Sequence, residues 1–216
     1  MNETMWLLIG AGVWETILMT LLAIFFAYMG GLPIGVLLVV TKKGGILENR
    51  PVNALLGIMV NIGRSIPFLI LLVLLIPLTR FLVGSSIGTA ATIVPLTIGA
   101  IPIVARMVES SLLEVSDGII EAAQSMGASP WQIILHFVLP EAFPSLLLGL
   151  AINLATVLGY SAMAGFVGGG GIGAIAIQYG YYRYQTDTLL VTVAILVIIV
   201  QIFQEAGIRL SNRTRH

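Results

Sequence analysis

The side chains able to do acid–base or metal chemistry are few in this 216-residue chain. There are ten Asp/Glu, ten Lys/Arg and two histidines, His136 and His216, and no cysteine. Disulfides and thiolate metal sites are thereby excluded, and two distant histidines form no metal-ligand motif. The carboxylates are scattered, and no serine stands with a histidine and an acid in a recognisable triad order. The run Gly168-Gly169-Gly170-Gly171-Ile172-Gly173 is not a phosphate cradle. No Gly-Lys-Ser/Thr follows it, and no Walker pattern occurs in the chain. Close packing and turning of the backbone is its expected use. No catalysis is expected, and the work of the protein should be conformational.

The most informative polar stretch is Ile119 to Pro140, IIEAAQSMGASPWQIILHFVLP. Ser116 or Asp117 can cap a first short helix, and Gly127 can end it in the left-handed conformation. Ser129-Pro130-Trp131-Gln132 restarts the chain, with Ser129 at the N-cap, Pro130 at the first helical position and Gln132 at the capping-box position. Pro140 is expected to close the unit. Ile119, Ala122, Ala123 and Met126 fall on one helical face, and Trp131, Ile134, Leu135 and Val138 repeat the spacing in the second helix. Two helices this short need a surface to dock on.

Glu121-Ala122-Ala123, three residues, Gly127, nine residues, Phe137, one residue, then Leu139-Pro140 resembles the EAA loop of ABC-importer permeases. The one departure is Phe137, where that family usually has isoleucine. The flanking text, GAIPIVARMVESSLLEV and GYSAMAGFVGGGGIG, is similar to the methionine-uptake branch, and the likeness extends over nearly the whole chain. The resemblance implies a type I importer permease whose 117–140 loop is a coupling helix docking on a separate ATPase. Its ATPase-coupling residues would be Glu121, Ala122, Ala123, Gly127, Ser129 and Pro140. Ala122 and Ala123 would keep the docking face low, and Glu121 would face a basic group or the helix N-terminus.

The elements that must position this loop are membrane spans. The chain is 58% hydrophobic and 9% charged, against about a quarter charged in soluble domains, so an all-α integral membrane protein is expected. Zero net charge argues against nucleic acid. The N-terminus shows neither the basic region nor the cleavage pattern of a signal peptide, so its apolar run should remain as a span. Residues 1–216 read as one transmembrane domain with five spans, about 16–40, 55–78, 83–105, 144–167 and 188–203. Trp6 and Trp14 suit interface anchors before the first, and Tyr179, Tyr181, Tyr182 and Tyr184 a belt before the last. Arg64 lies inside the second span. Its cost of about 2.5–3.5 kcal/mol can be offset by the surrounding Leu, Ile, Val and Phe residues. It would line a dimer interior, meet the ATPase or reach to the interface. Pro95 and Pro102 are expected to kink the third span.

Five spans put the ends on opposite sides. With the 41–54 loop, the Glu121 loop and the C-terminus inside, eight of the ten Lys/Arg fall on or near the cytoplasmic side: Lys42, Lys43, Arg50, Arg64, Arg106, Arg209, Arg213 and Arg215. Only Arg80 and Arg183 fall outside, which favours N-terminus out and C-terminus in.

A translocation path is expected along the charge-free fourth span. Its polar side chains are Asn153, Thr156, Tyr160 and Ser161, with Met163 as an adaptable apolar gate. Asn153, Thr156 and Tyr160 share one face by spacing; interhelical hydrogen bonding is the alternative use of these groups. The resemblance implies a homodimer in the bacterial inner membrane, two cytoplasmic ABC ATPase subunits carrying ATP and Mg, and an extracytoplasmic substrate-binding protein or lipoprotein. This chain itself would bind no cofactor. The alternatives are a permease for another small nutrient, an autonomous secondary transporter or a membrane scaffold. Secondary transporters tend to show repeat halves and intramembrane ionisable groups. No repeat is visible here.

Overall fold

The computed structural model describes residues 3–214, so Arg215 and His216 lie outside the described residues. All of its regular secondary structure over those residues is helical. Four helices are long and apolar enough to cross a membrane, and a bent pair makes a fifth candidate.

Helix α1 (Glu3–Thr41) is uninterrupted through Gly30, Gly31 and Pro33. Its 39 residues extend for about 58 Å, well beyond a hydrocarbon core of about 30 Å. Its continuity follows from what it packs against. Ala23, Ala27, Gly31 and Gly35 recur every fourth residue and are buried, forming a small-residue stripe of the kind that lets membrane helices approach closely. Helix α5 (Thr89–Leu113) lies in that stripe. A Cβ at Gly35 would stand 2.6 Å from the Ala105 carbonyl oxygen and from Val108 Cβ, so only glycine permits the crossing. Val104, Ala105 and Val108 are themselves fully buried.

The second span, expected over about 55–78, is broken into bent pieces. Helix α2 (Arg50–Ser65) is capped by Asn49, whose side chain accepts from the Val52 N–H, and it ends at Ile66. Helix α3 (Phe68–Leu74) sets off at 100° to it. The cause is Pro67. The residue before a proline is pushed out of the helical region, and Ile66 is extended at φ −79°, ψ 120°. Helix α4 (Ile76–Val83) follows and stops at Gly84, which is left-handed. Arg64 thus falls in the last turn of α2, exposed, where a cation is favoured by the helix dipole. Its charge sits beside a break rather than in mid-span.

Residues 83–88 end α4 and form the turn before α5, so the third span starts later than expected and runs on to Leu113. Pro95 and Pro102 are both buried within that one helix.

Helix α6 (Asp117–Ser125) and helix α7 (Pro130–Ile133) make up the short hairpin. Pro140 does not close it. A π-turn over Ile134–Val138 leads through α8 (Leu139–Glu141) into α9 (Phe143–Ala164). The Leu139 N–H donates to the Ile134 carbonyl. Widening the turn just ahead of a proline relieves the clash of its ring with the preceding carbonyls. After a short 3₁₀ turn at Gly165–Val167, α10 (Gly171–Ile175) continues as a π-helical segment, Ala176–Tyr181. The last helix, α11 (Thr186–Thr214), packs on α9 and buries few of its residues. Most of its apolar side chains are free to face lipid.

Candidate functional site

Two features stand where the sequence places function, the 117–140 hairpin and helix α9. In the hairpin, α6 ends by a Schellman closure. The Ala128 N–H donates to the Ala123 carbonyl at 3.1 Å and the Gly127 N–H to the Gln124 carbonyl at 2.9 Å. Gly127 takes φ +79°, the left-handed conformation that side-chain-bearing residues avoid. Helix α7 carries the full capping box. The Ser129 hydroxyl accepts from the Gln132 N–H, and the Ser129 N–H donates to Gln132 Oε1 at 2.8 Å. Rigid corners at Gly127 and Ser129 fix how the two helices present their outer faces.

Those faces differ from the ones the spacing suggests. Ala123 is fully buried in the main core together with Ile133 and Val138, so it seats α6 on the bundle and cannot touch a partner. Ala122 and Glu121 are exposed. Met126 is 70% and Trp131 67% exposed. The buried residues of the second helix are Ile133, Ile134 and Val138, and Leu135 is exposed. The apolar face is therefore turned by about one residue from the expected Trp131–Ile134–Leu135–Val138 set. The outward surface is Glu121, Ala122, Met126 and Trp131. No pattern in the sequence marks Trp131 as outward, because neighbouring helices decide which face of a helix this short is buried.

Between the hairpin and the end of α1 lies a cavity of about 390 Å³, lined among others by Val39, Lys42, Lys43, Asp117, Glu121 and Gln124. The loop that walls it is held by Glu48. Its carboxylate accepts from the Gly44 N–H at 2.9 Å and from Arg50 Nε at 2.9 Å. The backbone donor first and the guanidinium second hold this carboxyl below its ordinary value. Asn53 ties α2 to the same corner by donating to the Leu38 carbonyl at 2.7 Å and to the Thr41 hydroxyl at 3.2 Å.

On α9 the candidate path residues do not share one open surface. Asn153 is buried and donates to the Tyr28 hydroxyl on α1 at 3.2 Å. Tyr160 stacks face to face with Phe68 of α3, centroids 4.4 Å apart. Ser161 is fully buried and donates to its own helix at the Leu158 carbonyl. Thr156 does the same with the Ile152 carbonyl. The face carrying Asn153 and Tyr160 thus looks into the subunit, toward α1 and α3. The open face carries Leu148, Ile152 and Met163, each 41–44% exposed. Of the expected set, Met163 lies on that open stripe and Asn153 and Ser161 do not.

Among the described residues no group of His, Asp and Glu could hold a metal ion. A bundle of helices long and apolar enough to cross a membrane, with a rigidly capped hairpin at one end, defines an integral membrane protein. The comparisons sharpen this. A family model described as the binding-protein-dependent transport system inner membrane component matches residues 31–206. The chain is 55% identical to the probable D-methionine transport system permease protein MetI of Vibrio cholerae, over 94% of this chain and 90% of that one. It is 47% identical to the protein of that name from Pasteurella multocida, over the full length of both. Among solved structures it matches a chain of the MetNI methionine ABC transporter in inward-facing conformations, with TM-score 0.98 and 50% identity over the whole of both chains. A chain of an amino acid ABC transporter crystallised with histidines shares the fold, with TM-score 0.78 at 22% identity, covering 95% of this chain and 94% of that one. The chain belongs to the family of binding-protein-dependent transport system inner membrane components.

Proposed function

We propose that this chain is the permease subunit of an ATP-driven importer for methionine, working as a homodimer in the inner membrane. Two ATPase subunits dock on its 117–140 hairpins, and a substrate-binding protein delivers the amino acid from the other side. The observation that carries this reading is the hairpin itself. It is built with two rigid caps, is anchored through Ala123, Ile133 and Val138, and leaves Glu121, Ala122, Met126 and Trp131 outward. Methionine as substrate rests on the names of relatives about half identical over nearly the full chain. An uncharged, apolar stripe on α9 suits a small zwitterion with an apolar side chain.

In this reading the N-terminus is outside and the C-terminus inside, as the Lys/Arg distribution favours. Glu121 and Ala122 meet the ATPase, Gly127 and Ser129 hold the hairpin corner, and Pro140 with the π-turn sets the direction of α9. Met163 borders the path. ATP and Mg belong to the partner subunit. The decisive experiment is uptake into vesicles reconstituted with permease, ATPase and binding protein. Labelled D- and L-methionine should enter only with ATP and ahead of other amino acids. Ion-driven uptake by this chain alone would exclude the proposal, and equal transport of unrelated amino acids would exclude the substrate.

A further inference from the structure

The glycine run after α9 is held from a distance by two residues of α1. Glu15 Oε2 accepts from the Gly171 N–H at 2.8 Å, and the Thr16 hydroxyl accepts from the Ile172 N–H at 2.8 Å while donating to the Gly12 carbonyl. Both pairs are 156 residues apart in the chain. Each satisfies a donor that the first turn of α10 leaves without an intrahelical acceptor. The fit leaves no room for side chains. A Cβ at Gly171 would collide with the Thr16 hydroxyl and stand 2.7 Å from Met19 Cε. One at Gly170 would collide with Thr89 at the start of α5 and stand 2.9 Å from Glu15 Oε2. One at Gly173 would stand 2.5 Å from Ala162 Cα. The Gly88 N–H donates to the Gly168 carbonyl at 2.9 Å. The Glu15 carboxylate therefore sits where α1, the start of α5, the end of α9 and α10 converge.

The other end of α1 faces the hairpin. Val36, Val39 and Val40 share the cavity with Ile120 and Glu121. Glu15 and Val39 are about 36 Å apart along one unbroken helix. Met163 lies on the open stripe at the end of α9, five positions before Gly168. We propose that Glu15 and Thr16 are positioning residues for transport, clamping the glycine run to α1 so that the Met163 end of α9 moves with the helix that bears on the ATPase hairpin. An acceptor oxygen suits the task, because the Gly171 N–H has no acceptor within its own helix.

This inference rests on the transport reading, so one arm of its test is independent of transport. Glu15→Ala, Glu15→Gln and Thr16→Val are compared with the wild-type permease in its complex with the ATPase. Hydrogen–deuterium exchange over 168–173 should quicken at least tenfold in Glu15→Ala and stay within threefold in Glu15→Gln, which keeps an acceptor oxygen. Uptake per ATP hydrolysed should fall about tenfold in Glu15→Ala while ATP hydrolysis stays within twofold, and Glu15→Gln should recover most of the ratio. Thr16→Val should show a smaller loss of the same kind. Unchanged exchange in Glu15→Ala overturns the clamp. Faster exchange with a wild-type uptake ratio overturns the positioning role. A parallel fall of uptake, hydrolysis and melting temperature reduces Glu15 to a purely structural residue and also overturns it. Absence of ATP-driven uptake in the wild-type complex refutes the transport reading instead, while the exchange arm still decides the clamp.

Discussion

The ring of Phe68 lies parallel to that of Tyr160, 1° apart in plane with centroids at 4.4 Å. Phe68 is the first residue of α3, directly after the break at Ile66-Pro67, so the stack joins the bent second span to α9. Tyr160→Ala removes it and should destabilise the protein by about 2 kcal/mol, from lost packing and ring stacking together. Tyr160→Phe keeps the ring and should stay within about 0.5 kcal/mol, since the stack needs no hydroxyl. Thermal unfolding in detergent, with both variants side by side, reads the difference. Equal losses would show that the hydroxyl rather than the ring carries the contribution.

Local signals in the sequence proved more legible than long-range ones. The caps at Gly127 and Ser129 depend on residues within five positions of each other, and they form as the spacing predicts. The all-helical membrane architecture follows from composition and run length. The break in the second span was also written locally, in Pro67, but a strongly apolar run masks a proline that hydropathy does not register. Which face of a short helix is buried depends on the neighbouring helix. Trp131, which spacing groups with the apolar face, is therefore outward, and Ala123, to which the resemblance gives the docking face, is buried. Asn153 met Tyr28 and Glu15 met Gly171 across more than 120 residues of chain. No pattern in one sequence announces such pairs, and a polar residue in a span reads equally as path or as glue.

The Asn153–Tyr28 pair makes the glue reading testable. Asn153 Oδ1 is buried with no hydrogen-bond partner, so the amide relies on its N–H donated to Tyr28. Tyr28→Phe should cost about 1–3 kcal/mol, because it strands a buried donor. Asn153→Leu should relieve much of that cost in the double variant, giving a coupling above about 0.5 kcal/mol in a double-mutant cycle. The relative uptake of different amino acids should be the same in all three variants. A changed selectivity in Asn153→Leu would return this residue to the path.

Glu48 supplies the pH dependence outside the spans. Its carboxyl is held below the ordinary value by the Gly44 N–H and Arg50, so the folded loop favours the ionised form. The stabilisation is complete above the unfolded-state value of about 4.3 and is lost as pH falls through the lower folded-state value. The Gly44 amide resonance should therefore titrate with a midpoint below about 4.3 and be flat above it. In Glu48→Gln the titration should vanish. A midpoint at or above the ordinary glutamate value would contradict the hydrogen-bonded geometry.

Trp131 tests the outward face of the hairpin. At 67% exposure it contributes little to the fold, so Trp131→Ala should change the melting temperature of the isolated permease only slightly. Exposed aromatics are frequent anchors at interfaces. The same substitution should weaken ATPase association at least tenfold, which is about 1.4 kcal/mol, as measured by titrating ATPase onto permease in detergent or nanodiscs. Ala123→Leu gives the opposite pattern. Added bulk at a fully buried site should destabilise the permease by about 1–3 kcal/mol before any partner is present.

Gly127 separates backbone geometry from contact. A Cβ there would meet nothing within 4 Å, so a substitution acts only through the left-handed φ of +79°. Gly127→Val should cost about 1–2 kcal/mol and tilt the balance toward a hairpin with an altered corner, because the strain is released once Gly127 leaves that conformation. Asparagine visits the left-handed region more readily than other side-chain-bearing residues, so Gly127→Asn should retain most of the wild-type behaviour although it is bulkier than alanine. The readout is uptake per ATP hydrolysed in reconstituted vesicles. The ratio should fall in Gly127→Val with ATP hydrolysis largely kept, and Gly127→Ala should be intermediate. An order of Ala above Asn would mean that size, not backbone handedness, governs the corner. Full coupling in Gly127→Val would detach the hairpin geometry from the transport cycle altogether.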